Sequence, residues 1–188
     1  MIRYSDNAVH DWLFANLSRR TFKDVIRDGE LSGQDFPTYF LGNDLSYENH
    51  EIGLSTLQNV QYLKSLPRRQ YVALINNLTA KFQNPVWRQA EFEWRLANAE
   101  NLGNPLALRE GGAALADKGT VRDYAFLMAK VSTGHFISPD ISATMRRFLE
   151  QTQTLEAIGE AELYTVVGEK AGGSSGGFIT DASYSIPR

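Results

Sequence analysis

The sequence predicts a mainly α protein, a compact multi-helix domain over residues 1–160 with a small C-terminal β-hairpin over 161–188 packed on it or projecting from it. Three observations carry that prediction. Apolar residues recur at helical spacing as far as Leu149; Ser, Thr or Asn, in two cases followed directly by Pro, stands where periodic runs begin; and beyond Gly159 the period changes from 3.6 to two.

A first helix starts at Ser5 or Asp6 and carries Val9, Trp12, Leu13 and Leu17 on one side. Ser18 breaks it, Phe22, Val25 and Ile26 form the next apolar set, and Gly29 stops that run. The segment Thr38-Tyr39-Phe40-Leu41, bracketed by Pro37 and Gly42, is too brief for a stable helix and reads as a short strand or an extended connection. Leu57, Val60 and Leu63 define a helix from Leu54 or Ser55 to Leu66, interrupted by Pro67.

The stretch from Ser65 to Asn101 reads as two amphipathic helices around which the chain is organised. In the first, Ser65 is the N-cap, Pro67 occupies the first turn, and Tyr71, Leu74, Ile75, Leu78 and Phe82 make one stripe. In the second, Asn84-Pro85 opens the helix, Trp87, Ala90, Trp94 and Ala97 form a narrow face, and Val86, Phe92 and Leu96 widen it. A helix apolar this far round is expected to be largely buried, with Tyr71, Phe82, Trp87, Phe92 and Trp94 packed together as the core.

Gly103, Gly111, Gly112, Gly119 and Pro105 mark the following segment as a short helix or loops, and as a hinge. Thr120 caps a helix with Val121, Tyr124, Ala125, Met128 and Val131 in register, ending near Gly134. Ser138-Pro139-Asp140 opens its partner, with Ile141, Met145, Phe148, Leu149 and Thr152 in register and an extension to Ile158. Leu163, Thr165 and Val167, then Phe178, Thr180, Ala182, Tyr184 and Ile186, alternate as strands do, joined by the Gly- and Ser-rich AGGSSGG.

Composition narrows the function classes. With 188 residues, 43% hydrophobic and 22% charged, the chain suits one well-packed domain and neither a disordered nor a membrane protein; no apolar run reaches the ~20 residues a spanning helix needs. The polar start lacks a basic signal-peptide region and reads as a mature cytoplasmic N-terminus. Zero cysteines remove disulfides, thiolate ligands and cysteine nucleophiles, in keeping with a reducing compartment. The net charge of −3 argues against a polyanion footprint over the whole surface and leaves room for a local basic patch.

No catalytic residue and no cofactor or metal site is expected. Gly172-Gly173-Ser174-Ser175-Gly176 matches GxSxG, but a strand instead of a helix follows and no histidine lies downstream. His10, His50 and His135 show no ligand spacing, and Glu48-Asn49-His50-Glu51, where carboxylates flank an imidazole, reads as a solvated approach to a helix. Asp35, Asp44 and Asp117 sit near glycines and read as turn formers.

Arginine has a recurring arrangement. Arg68, Arg69, Arg88, Arg95, Arg146 and Arg147 fall on the four best helices, and convergence would make an anion or nucleic-acid site. Trp87 and Trp94, two helical turns apart, read foremost as core, and as an interface where exposed; Phe178 and Tyr184 are the hairpin's interface candidates. The expectation is a non-enzymatic binding protein, a nucleic-acid-associated accessory protein of a bacterium or phage. The alternative is a protein-binding inhibitor or regulator acting through an aromatic helix face or the hairpin edge. Nucleic acid and protein are the candidate partners, a membrane is not, and the oligomeric state is open.

Overall fold

Local chemistry sets most helix starts in the computed structural model, which describes residues 7–150, 163–173 and 179–187. Among the described residues the helices are α1 (Asn7–Asn16), α2 (Arg19–Asp28), α3 (Phe40–Tyr47), α4 (Leu57–Ser65), α5 (Arg68–Gln83), α6 (Pro85–Ala97), α7 (Pro105–Leu115), α8 (Val121–Thr133) and α9 (Pro139–Leu149), followed by strands β1 (Tyr164–Gly173) and β2 (Ile179–Pro187). Ser18, Thr56, Asn84, Asn104, Thr120 and Ser138 each accept a backbone N–H from the first turn of the next helix, which is why α2, α4, α6, α7, α8 and α9 begin where they do. α8 ends at Gly134 in the left-handed conformation, φ 81°. The fold is therefore mainly α with a small antiparallel hairpin, as the sequence predicts.

Two hydrophobic clusters hold these elements. The first contains Tyr47 of α3, Val60 and Leu63 of α4, Tyr71 and Ile75 of α5, and Ala107 and Leu115 of α7. α3 packs on α5, α4 on α7 and α6 on α5. The α3–α5 crossing is close because Gly42 lacks a side chain: a Cβ there would lie 2.3 Å from the Ile75 carbonyl oxygen. The second cluster contains Met128, Val131, Phe136 and Leu149, with Ala182 and Tyr184 of the hairpin packed against it. α8 and α9 thus pair as an antiparallel helical hairpin, with β1 on α9 and β2 on α8. The strand register runs from Tyr164↔Pro187 to Gly173↔Ile179.

Several expectations are corrected. Thr38–Leu41 is no strand: Thr38 is bound by Asp117 and Phe40 opens α3, whose N-terminal amides are capped from another helix. Ser65 does not cap α5; it closes α4 with its hydroxyl on the Tyr62 carbonyl, and Pro67 precedes α5 without a side-chain cap. The glycine-rich segment holds a helix, one of the two expected forms: α7, packed on α4 with Ala107 and Leu115 buried. α1 turns Phe14 inward, against Phe22, Phe36 and Tyr39, and leaves Val9, Trp12 and Leu17 exposed. The α8 and α9 stripes are buried only in part, since Val121, Tyr124, Ile141 and Phe148 are exposed while Asp123 and Ser142 are buried.

β1 extends through Gly172 and Gly173, so the pairing reaches further into the glycine run than alternation alone indicates. The α9 extension to Ile158, the Ser5 or Asp6 start, Ser174-Ser175-Gly176 and Phe178 lie outside the described residues. No helix among those described is long and apolar enough to cross a membrane.

The largest correction concerns the core. It lies between α3, α4, α5 and α7, and α6 stands outside it: of the α6 side chains Glu91 alone is buried, while Phe92 and Leu96 are exposed.

Candidate functional site

α6 is built inside out. Successive residues turn about 100°, so Trp87, Glu91, Trp94 and Arg95 share one side and Val86, Gln89, Phe92, Glu93 and Leu96 the other. The side toward the protein is the charged and aromatic one. Glu91 is 1% exposed, and its Oε2 accepts the His50 backbone N–H at 2.8 Å and approaches His50 Nδ1 at 2.9 Å. An ionised carboxylate can only accept, so Nδ1 carries the hydrogen. The other Glu91 oxygen accepts from Arg95 Nε at 2.6 Å, and Arg95 Nη2 reaches the Glu48 carbonyl at 3.2 Å and Asp44 Oδ2 at 3.3 Å.

Around this core of charge a second layer fixes the loop between α3 and α4. Trp87 donates its indole N–H to Glu51 at 2.9 Å, its ring lies 4.6 Å from that of His50, and Phe82 meets it edge-on. Lys81 binds the other Glu51 oxygen, and the hydrogen bonds from Lys81 and Trp87 hold Glu51 below the usual carboxylate range. Glu48 is buried and accepts the backbone N–H groups of Ser55 and Gly103. The Glu48-Asn49-His50-Glu51 cluster is thus a tie between α3, α6 and two loops, where the sequence suggests a solvated approach. Among the described residues no group of three or more His, Cys, Asp or Glu side chains is arranged to hold a metal ion.

The outward side is apolar. Val86 is 80% exposed, Leu96 64% and Phe92 57%. Gln89 and Glu93 interrupt them and bond to one another at 2.8 Å. A shallow open depression follows this side, lined by Pro85, Val86, Gln89, Ala90 and Glu93. Trp87 and Trp94 are half-buried, so neither stands free as a stacking platform.

No protein-family model, curated protein or solved structure matches this chain. Its candidate site therefore rests on its own geometry.

The six arginines are differently placed. Arg68 donates to the Leu115 carbonyl at 3.0 Å and to Asp117, and its guanidinium lies over the Tyr71 ring. Arg95 is held by Glu91 and Asp44. Arg69 and Arg88 are exposed on α5 and α6; Arg147 lies over the Phe148 ring and Arg146 is half-buried beside it on α9. α5 and α9 belong to different hydrophobic clusters, so the pairs Arg68-Arg69 and Arg146-Arg147 are carried by separate parts of the fold. Tyr184 is half-buried over Gly168, with its hydroxyl on Glu150 at 2.7 Å; burial, then the Glu150 bond, push that hydroxyl well above its ordinary pKa.

Sequence reasoning missed the polarity of α6. Glu91 and Arg95 are four residues apart, the spacing of an ion pair on a helix, and that spacing is visible in the sequence; their burial depends on His50 and Glu48, some forty residues away.

Proposed function

We propose that this is a cytoplasmic protein-binding regulator or inhibitor whose docking surface is the outward face of α6. One observation carries the reading: the helix buries Glu91, paired with a half-buried Arg95, and exposes Val86, Phe92 and Leu96. Burying a charge is costly unless it is fully paired, whereas leaving a large apolar side chain in water forgoes roughly 1.5–3 kcal/mol of burial. A helix that does both has an outward face made for something other than its own core. The Glu91–Arg95–His50 network keeps that face in one orientation, which lowers the ordering cost of binding.

The nucleic-acid reading has less support, because two of the six guanidiniums it relies on are occupied by the protein's own carboxylates. The experiment compares the immobilised protein with its Phe92→Glu/Leu96→Glu variant in a nuclease-treated extract. Proteins held by the first and lost by the second are the expected result; identical retention contradicts the reading. Oligonucleotide binding at low salt that the variant retains would favour the arginines instead.

A further inference from the structure

We propose that the occupant of the α6 face is a second copy of this chain, paired parallel about a two-fold axis along the helix; this rests on the docking reading above. The outward residues fall on a heptad seam. With Gln89 and Leu96 at the a positions and Pro85 and Phe92 at d, the apolar side chains meet their own copies across the axis. Trp87 and Trp94 then occupy the position opposite the seam, on the side where α6 meets the rest of the protein, so the two bodies lie apart and the seam is unobstructed.

Charge completes the argument. Arg88 falls at g on one flank and Glu93 at e on the other, the flanks that face each other between parallel strands of a coiled coil. Arg88 is exposed and has no ion pair among the described residues, and Glu93 contacts Gln89 through one oxygen only, leaving the second for Arg88 of the other copy. A two-fold axis forms this bridge twice. Gln89, the polar residue at a, meets its own copy only when the helices are parallel and in register, which a buried polar side chain favours. An antiparallel pair sets each flank against its own kind and brings Glu93 toward Glu93.

A 13-residue helix is about 20 Å long, less than a specific interface of roughly 1,200 Å² needs by itself, so the association is weak and reversible. Sedimentation equilibrium of the full chain over about 10–500 µM reads it. The unaltered protein shows a concentration-dependent monomer–dimer equilibrium. Arg88→Glu and Glu93→Arg each weaken it at least tenfold, because both bridges become repulsions. An equimolar mixture of the two variants regains dimer, since every flank of a mixed pair again faces the opposite charge, and so does the chain carrying both changes.

A protein that stays monomeric throughout, single variants that dimerise undiminished, or a mixture that gains nothing would each overturn the pairing. Failure here is separable from failure of the docking reading. A monomeric protein that still loses a captured partner on Phe92→Glu/Leu96→Glu keeps the face and removes the second copy. A dimer indifferent to Phe92→Glu/Leu96→Glu contradicts the pairing on this helix.

Discussion

Asp11 shows how single residues carry this fold. Tyr39 offers α3 no side-chain cap, and Asp11 on α1 supplies one from outside: its two oxygens accept Phe40 N–H at 2.7 Å and Leu41 N–H at 2.8 Å. Burial alone pushes the Asp11 carboxyl up, but hydrogen bonds from His10, Leu41 and Phe40 outweigh it and the net shift is downward. A depressed folded-state pKa stabilises the protein fully above the unfolded value of about 3.9 and less as pH falls through the folded value. Asp11→Ala should therefore cost about 1–2 kcal/mol in urea unfolding at pH 7, and the difference from the unaltered protein should shrink as pH falls through the folded-state value of the Asp11 carboxyl. A constant difference across that range would show that the carboxylate charge is not what caps α3. Glu91 is the second test. Glu91→Ala leaves Arg95 Nε and the His50 amide without their acceptor and should cost about 1–3 kcal/mol, read by the same unfolding experiment; no measurable cost would mean that the ion pair is not integral to the fold.

At the scale of elements, the starts and stops of helices were legible and their orientation was not. Ser18, Asn84-Pro85, Thr120 and Ser138-Pro139 open helices, and Gly29 and Gly134 close them, through contacts within four residues, so the chemistry is local and visible in the sequence. α3 escaped because Asp11 caps it from 29 residues away, a bond that no window of sequence contains. The bounds of α6 are legible and the width of its buried face is not, since apolar periodicity buries Val86, Phe92 and Leu96 together with the Trp87–Trp94 side, whereas Glu91 and Arg95 share that side here. Among the candidate site residues, Trp87 and Trp94, read foremost as core, are half-buried on the inward side and outside both clusters, while Phe92 and Leu96, expected in the core, are exposed. Close packing gives a check that is independent of polarity. Gly42→Ala should destabilise by about 1–3 kcal/mol, because its Cβ meets the immovable Ile75 carbonyl; an increase in the melting temperature would contradict the α3–α5 crossing described here.

Across the whole molecule, carboxylates tie the α2–α3 connection to α8 and to the segment that precedes it. Asp123 in the first turn of α8 accepts the Gly33 N–H at 2.6 Å, Asp117 accepts the Thr38 N–H at 2.6 Å and its hydroxyl at 2.9 Å, and Asp35 accepts the Lys118 N–H on its carboxylate while its own N–H donates to the Lys118 carbonyl. Trp12, Trp87 and Trp94 all precede Asn98, so tryptophan fluorescence reports the first part of the chain while far-UV ellipticity reports all of it. The two unfolding curves should coincide for the unaltered protein and separate for Asp117→Ala/Asp123→Ala; coincident curves in that variant would mean that apolar packing alone couples the clusters. The central claim is that α6 turns the Glu91–Arg95 pair inward and Val86, Phe92 and Leu96 outward. Chemical denaturation of the Phe92→Gln/Leu96→Gln variant tests it most directly, alongside Leu63→Ala as a measure of true core loss. The expected result is a stability within about 1 kcal/mol of the unaltered protein for the double variant, against a loss of about 2–5 kcal/mol for Leu63→Ala; a comparable loss in both would place Phe92 and Leu96 in the core and contradict the inverted helix.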